Sequence, residues 1–187
     1  MRGLKAAGVA AVLLGAGLAA LSPQQRLPAH TDTAASAPIP VPAAPLAGNT
    51  RLGVITFYAA ADNDPPGSTA IAFSRSGGAP TPHDTAGGTG TFADPLTFAA
   101  ADGEFPPGTR IYVPEVQRYF VLEDTCANCT GTHIDLWTGP ATDTGVLDCE
   151  DQLTPDGPGL YEIDPPPGLP VVAGDLYRDG RCYQPAG

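Results

Sequence analysis

The chain has 187 residues, with 20 acidic against 9 basic side chains, a formal net charge of −11, 22 prolines and 23 glycines. So acidic a chain is a poor partner for nucleic acid or for an anionic membrane surface, since both are held through lysine and arginine. The prolines and glycines leave little room for long helices.

At the N-terminus, Arg2 and Lys5 precede a continuous Ala/Gly/Val/Leu run, Ala6 to Leu21, that ends at Ser22 and Pro23. This pattern predicts a secretory signal peptide over residues 1–22, too short for a membrane span; an uncleaved anchor is the alternative. Its removal leaves seven arginines and no lysine against 20 acids, a net charge of −13. Residues 23–49 are dominated by Pro, Ala, Ser and Thr without apolar periodicity, which predicts an extended tether. Residues 50–187 are then enough for a single exported, soluble domain, expected to be monomeric.

Within that domain, Arg51 to Tyr58 is rich in β-branched and aromatic residues and predicts a buried strand. Asp62, Asn63 and Asp64 follow in turn chemistry, and Ile71 to Phe73 reads as a brief strand. Gly77 to Gly90, which holds His83 and Asp84, reads as a surface loop beside a groove. Strands are expected at Thr97 to Ala100, Arg110 to Val113, Tyr119 to Leu122, Ile134 to Trp137, Tyr161 to Ile163, Leu169 to Val172 and around Leu176 to Tyr177. Gly139 to Gly159 is acidic and turn-rich, and no window carries a sustained helical period. The pattern is that of a small all-β domain, and closure into a barrel would remove the edges of so few strands.

Four cysteines in an exported chain imply two disulfides. A zinc site would normally add a second close pair to Cys126-x-x-Cys129, and a redox site would open a helix. The expected arrangement joins one cysteine of that loop to Cys149 and the other to Cys182, in either order. No metal and no cofactor are expected.

Chemistry gathers in Arg118 to Gly139, where Glu123 and Asp124 follow one apolar segment and Asp135 sits inside another. Between Ile134 and Leu136 in a strand, Asp135 faces away from both, projected from a rigid element. His133, its neighbour in sequence, is expected on the opposite face.

Four segments together, Thr56-Phe57-Tyr58, Phe105-Pro106-Pro107-Gly108-Thr109-Arg110-Ile111-Tyr112-Val113, Tyr119 to Asp124 and His133-Ile134-Asp135-Leu136-Trp137, resemble the double-psi β-barrel group. That group includes expansins, barwin-like proteins, family 45 endoglucanases, the rare lipoprotein A type and the three-aspartate domain of lytic transglycosylases. The resemblance covers roughly Val54 to Leu136 and implies a small six-stranded double-psi barrel. His133-Ile134-Asp135 is similar to the His-Phe-Asp motif whose aspartate is the general acid in the hydrolases. Glu123-Asp124-Thr125 followed by Ile134-Asp135-Leu136 is similar to the three-aspartate domain, where the later aspartate is the catalytic candidate. Thr56 and Tyr58 look like the groove-lining Thr-x-Tyr of expansins. The family 45 base stands two residues after that tyrosine, whereas Asp62 here stands four after it.

The resemblance therefore implies an extracellular protein acting on polysaccharide or peptidoglycan. Asp135 would be the acid, Asp124 its companion, Asp62 or Asp64 the candidate base, and Tyr58, Thr56 and Trp137 the substrate contacts. The alternatives are a non-catalytic wall-binding or wall-loosening module and a barwin-like protein-binding barrel. A structural reading also stands beside each site residue: Asp124 holding the cysteine loop, Asp135 as a satisfied strand aspartate, Asp62 to Asp64 as a turn, and Trp137 as core.

Overall fold

The computed structural model describes residues 49–184. The expected signal peptide and all of the expected tether but Asn49 lie outside those residues. Among the described residues no helix is long and apolar enough to cross a membrane.

The fold is mostly β. Among the described residues nine strands are present: β1 (Thr50–Gly53), β2 (Ile55–Tyr58), β3 (Leu96–Ala100), β4 (Arg110–Val113), β5 (Arg118–Thr125), β6 (Ile134–Trp137), β7 (Gly159–Ile163), β8 (Tyr177–Arg178) and β9 (Arg181–Cys182). The first seven form one sheet in the order β1-β7-β4-β5-β3-β6-β2, and β8 pairs with β9. Two pairings are parallel, β2 with β6 and β3 with β5, and the others are antiparallel. Every residue of β3 is buried, as expected of a strand in a parallel pair covered on both faces.

The sheet is open, which corrects the closed barrel expected from the strand count. Its two edges, β1 and β2, are halves of the one predicted strand, separated only by Val54. Halves that run on from one another cannot turn back to pair, so β1 takes β7 and β2 takes β6. Gly53 marks the break: a Cβ there would lie 2.0 Å from the Thr132 carbonyl oxygen, so no side chain fits.

Two predicted strands are absent. The segment at Ile71 to Phe73 is held instead by the end of β5, where Ala72 N–H donates to Asp124 Oδ1 at 3.0 Å and Phe73 N–H to the Glu123 carbonyl at 2.8 Å. Leu169 to Val172 is likewise tied from outside. Leu169 N–H donates to Tyr119 Oη at 3.0 Å, and the Tyr112 hydroxyl donates to the Pro170 carbonyl at 2.7 Å.

An unexpected helix, α1, spans Thr144–Leu153. Asp143 caps it by accepting from Gly145 N–H at 2.9 Å, and Val146, Cys149, Glu150 and Leu153 are its buried residues. That spacing is one face of an amphipathic helix, hidden in the sequence because a carboxylate occupies one of its inward positions. The helix packs on β2 and is joined to β9 by the Cys149–Cys182 disulfide. The second disulfide closes the short loop, Cys126–Cys129. Both pairings differ from the crossed arrangement expected, because α1 carries Cys149 to the C-terminal strands and leaves the loop cysteines only each other.

Candidate functional site

β5 continues two residues beyond its apolar run before Thr125, so Glu123 and Asp124 lie within a strand, and both are buried. Their different fates follow from a bulge. Phe98 pairs with Leu122 and Ala99 with Asp124, so Glu123 is the extra residue of β5. Glu123 turns to the covering loop, where its carboxylate accepts from His83 N–H at 3.0 Å and from the Thr97 hydroxyl at 2.6 Å, and lies 2.8 Å from His83 Nδ1. His83 Nε2 in turn meets Asp94 at 2.9 Å. The loop expected to line a groove is thus a cover clamped onto the sheet by a buried acid.

Asp124 faces the other way, into an open groove of about 880 Å³. Its Oδ1 accepts from the N–H groups of Ala72 and Thr125, and its Oδ2 is 3.4 Å from the Tyr58 hydroxyl. Burial raises its pKa, and the two backbone donors oppose that rise. This aspartate ties the groove wall together and lines the groove at the same time.

Asp135 projects from β6 into the same groove, opposite Thr56 in the parallel β2–β6 register. The Thr56 hydroxyl donates to Asp135 Oδ1 at 2.7 Å and lies 2.9 Å from His133 Nε2. His133 therefore does not point away, as strand alternation predicts. It precedes β6, in the turn that enters it, where alternation does not apply, and its ring reaches the same hydroxyl. Thr56 has one proton to give, so while it donates to Asp135, His133 Nε2 must carry the hydrogen. Burial lowers the His133 pKa, which favours the neutral ring. The result is a short chain of exchangeable protons: imidazole, hydroxyl, carboxyl.

Burial also raises the Asp135 pKa to about 6, against the Thr56 hydrogen bond, and the negative charges of Asp62 and Asp124 add to the rise. A carboxyl of this kind keeps a proton in mildly acidic solution and can deliver it. Asp62 and Asp64 line the groove as exposed carboxylates at the exit of β2. Asp62 Oδ1 accepts from Ala59 N–H at 2.9 Å, so it is also a turn residue, as its structural reading predicts.

Tyr58 lines the groove, and Thr56 stands behind it as the group that orients Asp135. Trp137 is not a substrate contact. It is fully buried in the core, packed edge-on against the Tyr58 ring at 5.2 Å.

Sequence reasoning missed Glu150. It is buried on α1, its Oε1 has no hydrogen-bond partner in the protein, and its pKa rises to about 8, first from burial and then from the charges of Asp62 and Asp135. The available signal was the helical spacing around Cys149.

The sulfurs of the Cys126–Cys129 disulfide form part of the groove wall, within 4.8 Å of the Asp135 carboxylate. Cys149 and Cys182 lie at α1 and β9, outside the groove.

Comparison with known proteins gives one relative, and no solved structure matches the chain. A Dictyostelium discoideum protein described as "Uncharacterized protein DDB_G0273701/DDB_G0273221" is 41% identical over 110 residues, which cover 54% of this chain and 46% of that protein. The chain thus spans about half the length of this curated relative. Residues 50–183, which hold every strand and the whole groove, match the family described as DDB_G0273701 N-terminal domain, and the chain belongs to that family.

Proposed function

We propose that this is an exported protein that cleaves glycosidic bonds in a polysaccharide or peptidoglycan, with Asp135 as the general acid. The observation that carries the reading is a carboxyl with a pKa of about 6, oriented by Thr56 and open to a groove about 880 Å³ in volume. The likeness to the double-psi group supports it, and so does the presence of two parallel pairings in a sheet without crossover helices. Asp135 gives its proton to the glycosidic oxygen as the carbon–oxygen bond breaks. In an inverting hydrolysis, Asp62 takes the proton of the attacking water; in a transglycosylase, a hydroxyl of the sugar attacks and returns its proton to Asp135. The acids around the groove favour an uncharged glycan.

The test is release of soluble sugars from peptidoglycan and from β-glucans by the wild type and by Asp135→Asn. The variant should lose about two to four orders of magnitude of activity, and wild-type activity should fall as pH rises above about 6, where Asp135 gives up its proton. Equal activity in both proteins would sink the proposal. An Asp62→Asn variant separates the two routes, since only hydrolysis needs the water-activating carboxylate.

One observation favours a second reading, a wall-binding module without chemistry: the carboxylate of Asp62, which stands four residues after Tyr58 and not two as the family 45 base does, is held by Ala59 N–H. Retention on insoluble wall polymer with no product from any glycan would establish that reading in place of the first.

A further inference from the structure

Beside Asp135, the groove wall is made of two sulfurs. Cys126 Sγ, Cys129 Sγ and a carboxylate oxygen of Asp135 all lie within 4.8 Å of one another. In this structure the sulfurs are joined. We propose that opening the Cys126–Cys129 disulfide converts this wall into a zinc site, with the two thiolates and the Asp135 carboxylate as its protein ligands.

The donor set is the first argument. A Cys-x-x-Cys pair is the common structural element of zinc sites, and a carboxylate serves as an additional ligand at about 2.0–2.2 Å. The second is mechanical. Zinc–sulfur bonds of about 2.3 Å in tetrahedral geometry hold two sulfurs roughly 3.7 Å apart, so the joined sulfurs must separate. The segment that must move is short, and Ala127 and Asn128 between the cysteines are both exposed, so nothing is packed over it. Asp135 sits on the rigid side, in β6, and need not move. The third is orientation. Thr56 already donates to Asp135 Oδ1, which fixes the carboxylate and leaves Oδ2 for an ion. A fourth coordination position faces the open groove.

Charge also favours an ion here. Asp62, Asp64, Asp102 and Asp124 line the same groove. Their field attracts a cation.

The chemistry balances with a dithiol as reductant. The dithiol supplies two electrons and two protons to the sulfur–sulfur bond and becomes a disulfide, and the protein gains two thiols. Zinc then displaces the two thiol protons. Each disulfide joins a half-buried cysteine to a buried one, Cys126 to Cys129 and Cys182 to Cys149, but the groove disulfide closes only its own short loop whereas the other ties α1 to β9, so limited reduction opens the groove disulfide at the smaller cost to the fold.

The experiment reduces the full chain with limiting dithiothreitol, removes the reductant anaerobically and titrates with cobalt(II) as the probe. Alkylation and peptide mass mapping identify the opened pair, and circular dichroism follows the fold. The expected result is a one-to-one thiolate–cobalt charge-transfer band, displaced by zinc and absent from the oxidised protein. Asp135→Asn should weaken cobalt binding at least tenfold, and the paired Cys126→Ser, Cys129→Ser variant should abolish it. The absence of a band in the reduced, folded chain would overturn the proposal. So would equal affinity in Asp135→Asn, prior opening of Cys149–Cys182, or loss of the fold on reduction, because the site needs β6 to hold Asp135 beside the loop. The readout is metal binding, so it stands or falls independently of glycan cleavage.

Discussion

Asp135 keeps its proton at a cost to the ionised fold. Its pKa rises from 3.8 to about 6, so the folded state disfavours the carboxylate, a penalty absent below pH 3.8 and complete above about 6. After allowance for its contact with the open groove, this penalty is about 1–2 kcal/mol. Asp135→Asn, which can still accept from Thr56, should therefore raise stability by that amount at pH 8 and leave it unchanged at pH 3. Urea denaturation at the two pH values checks it; a variant less stable at pH 8 would show that the carboxylate contributes to the fold. Asp135 was legible in the sequence because an acid between Ile134 and Leu136 breaks an apolar strand on one face only. Trp137, two residues on, has the same parity, but it is buried in the core against Tyr58, a contact between strands that its own neighbourhood in sequence does not disclose. For Glu150 the spacing around Cys149 hints at the helix, but only the position of α1 brings the residue near Asp62 and Asp135.

At the scale of elements, the bulge in β5 lets two consecutive acids serve different surfaces. Glu123 clamps the loop above the sheet through His83, and Asp124 lines the groove. The Glu123 hydrogen bond is the largest cause of the raised His83 pKa, outweighing burial, with Asp94 adding to it. Stability from protonated His83 is fully present below its ordinary value of 6.5 and is lost as pH rises through the higher folded value. The loop from Gly77 to Gly90 should thus loosen first on the alkaline side. Hydrogen exchange in this loop should rise from pH 6 to pH 9 in the wild type, while His83→Gln should be fast throughout. Protection that does not change with pH in the wild type would remove the clamp from this account. The strands bordering the bulge were readable as short apolar runs, apart from the extension of β5. That extension needed partners for two acids, and those partners come from His83 and Ala72, far away in sequence.

For the whole molecule, the two disulfides differ in reach. Cys149–Cys182 spans 33 residues and joins α1 to the C-terminal strands, whereas Cys126–Cys129 spans 3. Loop-closure entropy assigns about 3–4 kcal/mol to the longer and much less to the shorter. Paired Cys149→Ala, Cys182→Ala replacement should lower the unfolding free energy by about that amount, well beyond the effect of paired Cys126→Ser, Cys129→Ser. Denaturation of the two variants side by side checks the order, and the reverse order would mean that the short loop holds more of the fold than its span allows. Their pairing could not be read from spacing, because it depends on where α1 lies.

The break at Val54 also has a consequence for how the chain assembles. Thr56 is joined to Asp135 across 79 residues, and Thr50 pairs with Glu162 still further along. Neither half of the first strand has a local partner. During synthesis this apolar segment must wait, unpaired, until nearly the whole domain has emerged. High contact order of this kind slows folding and leaves an early, β-prone segment exposed to aggregation. The first strand to be made is among the last to be paired.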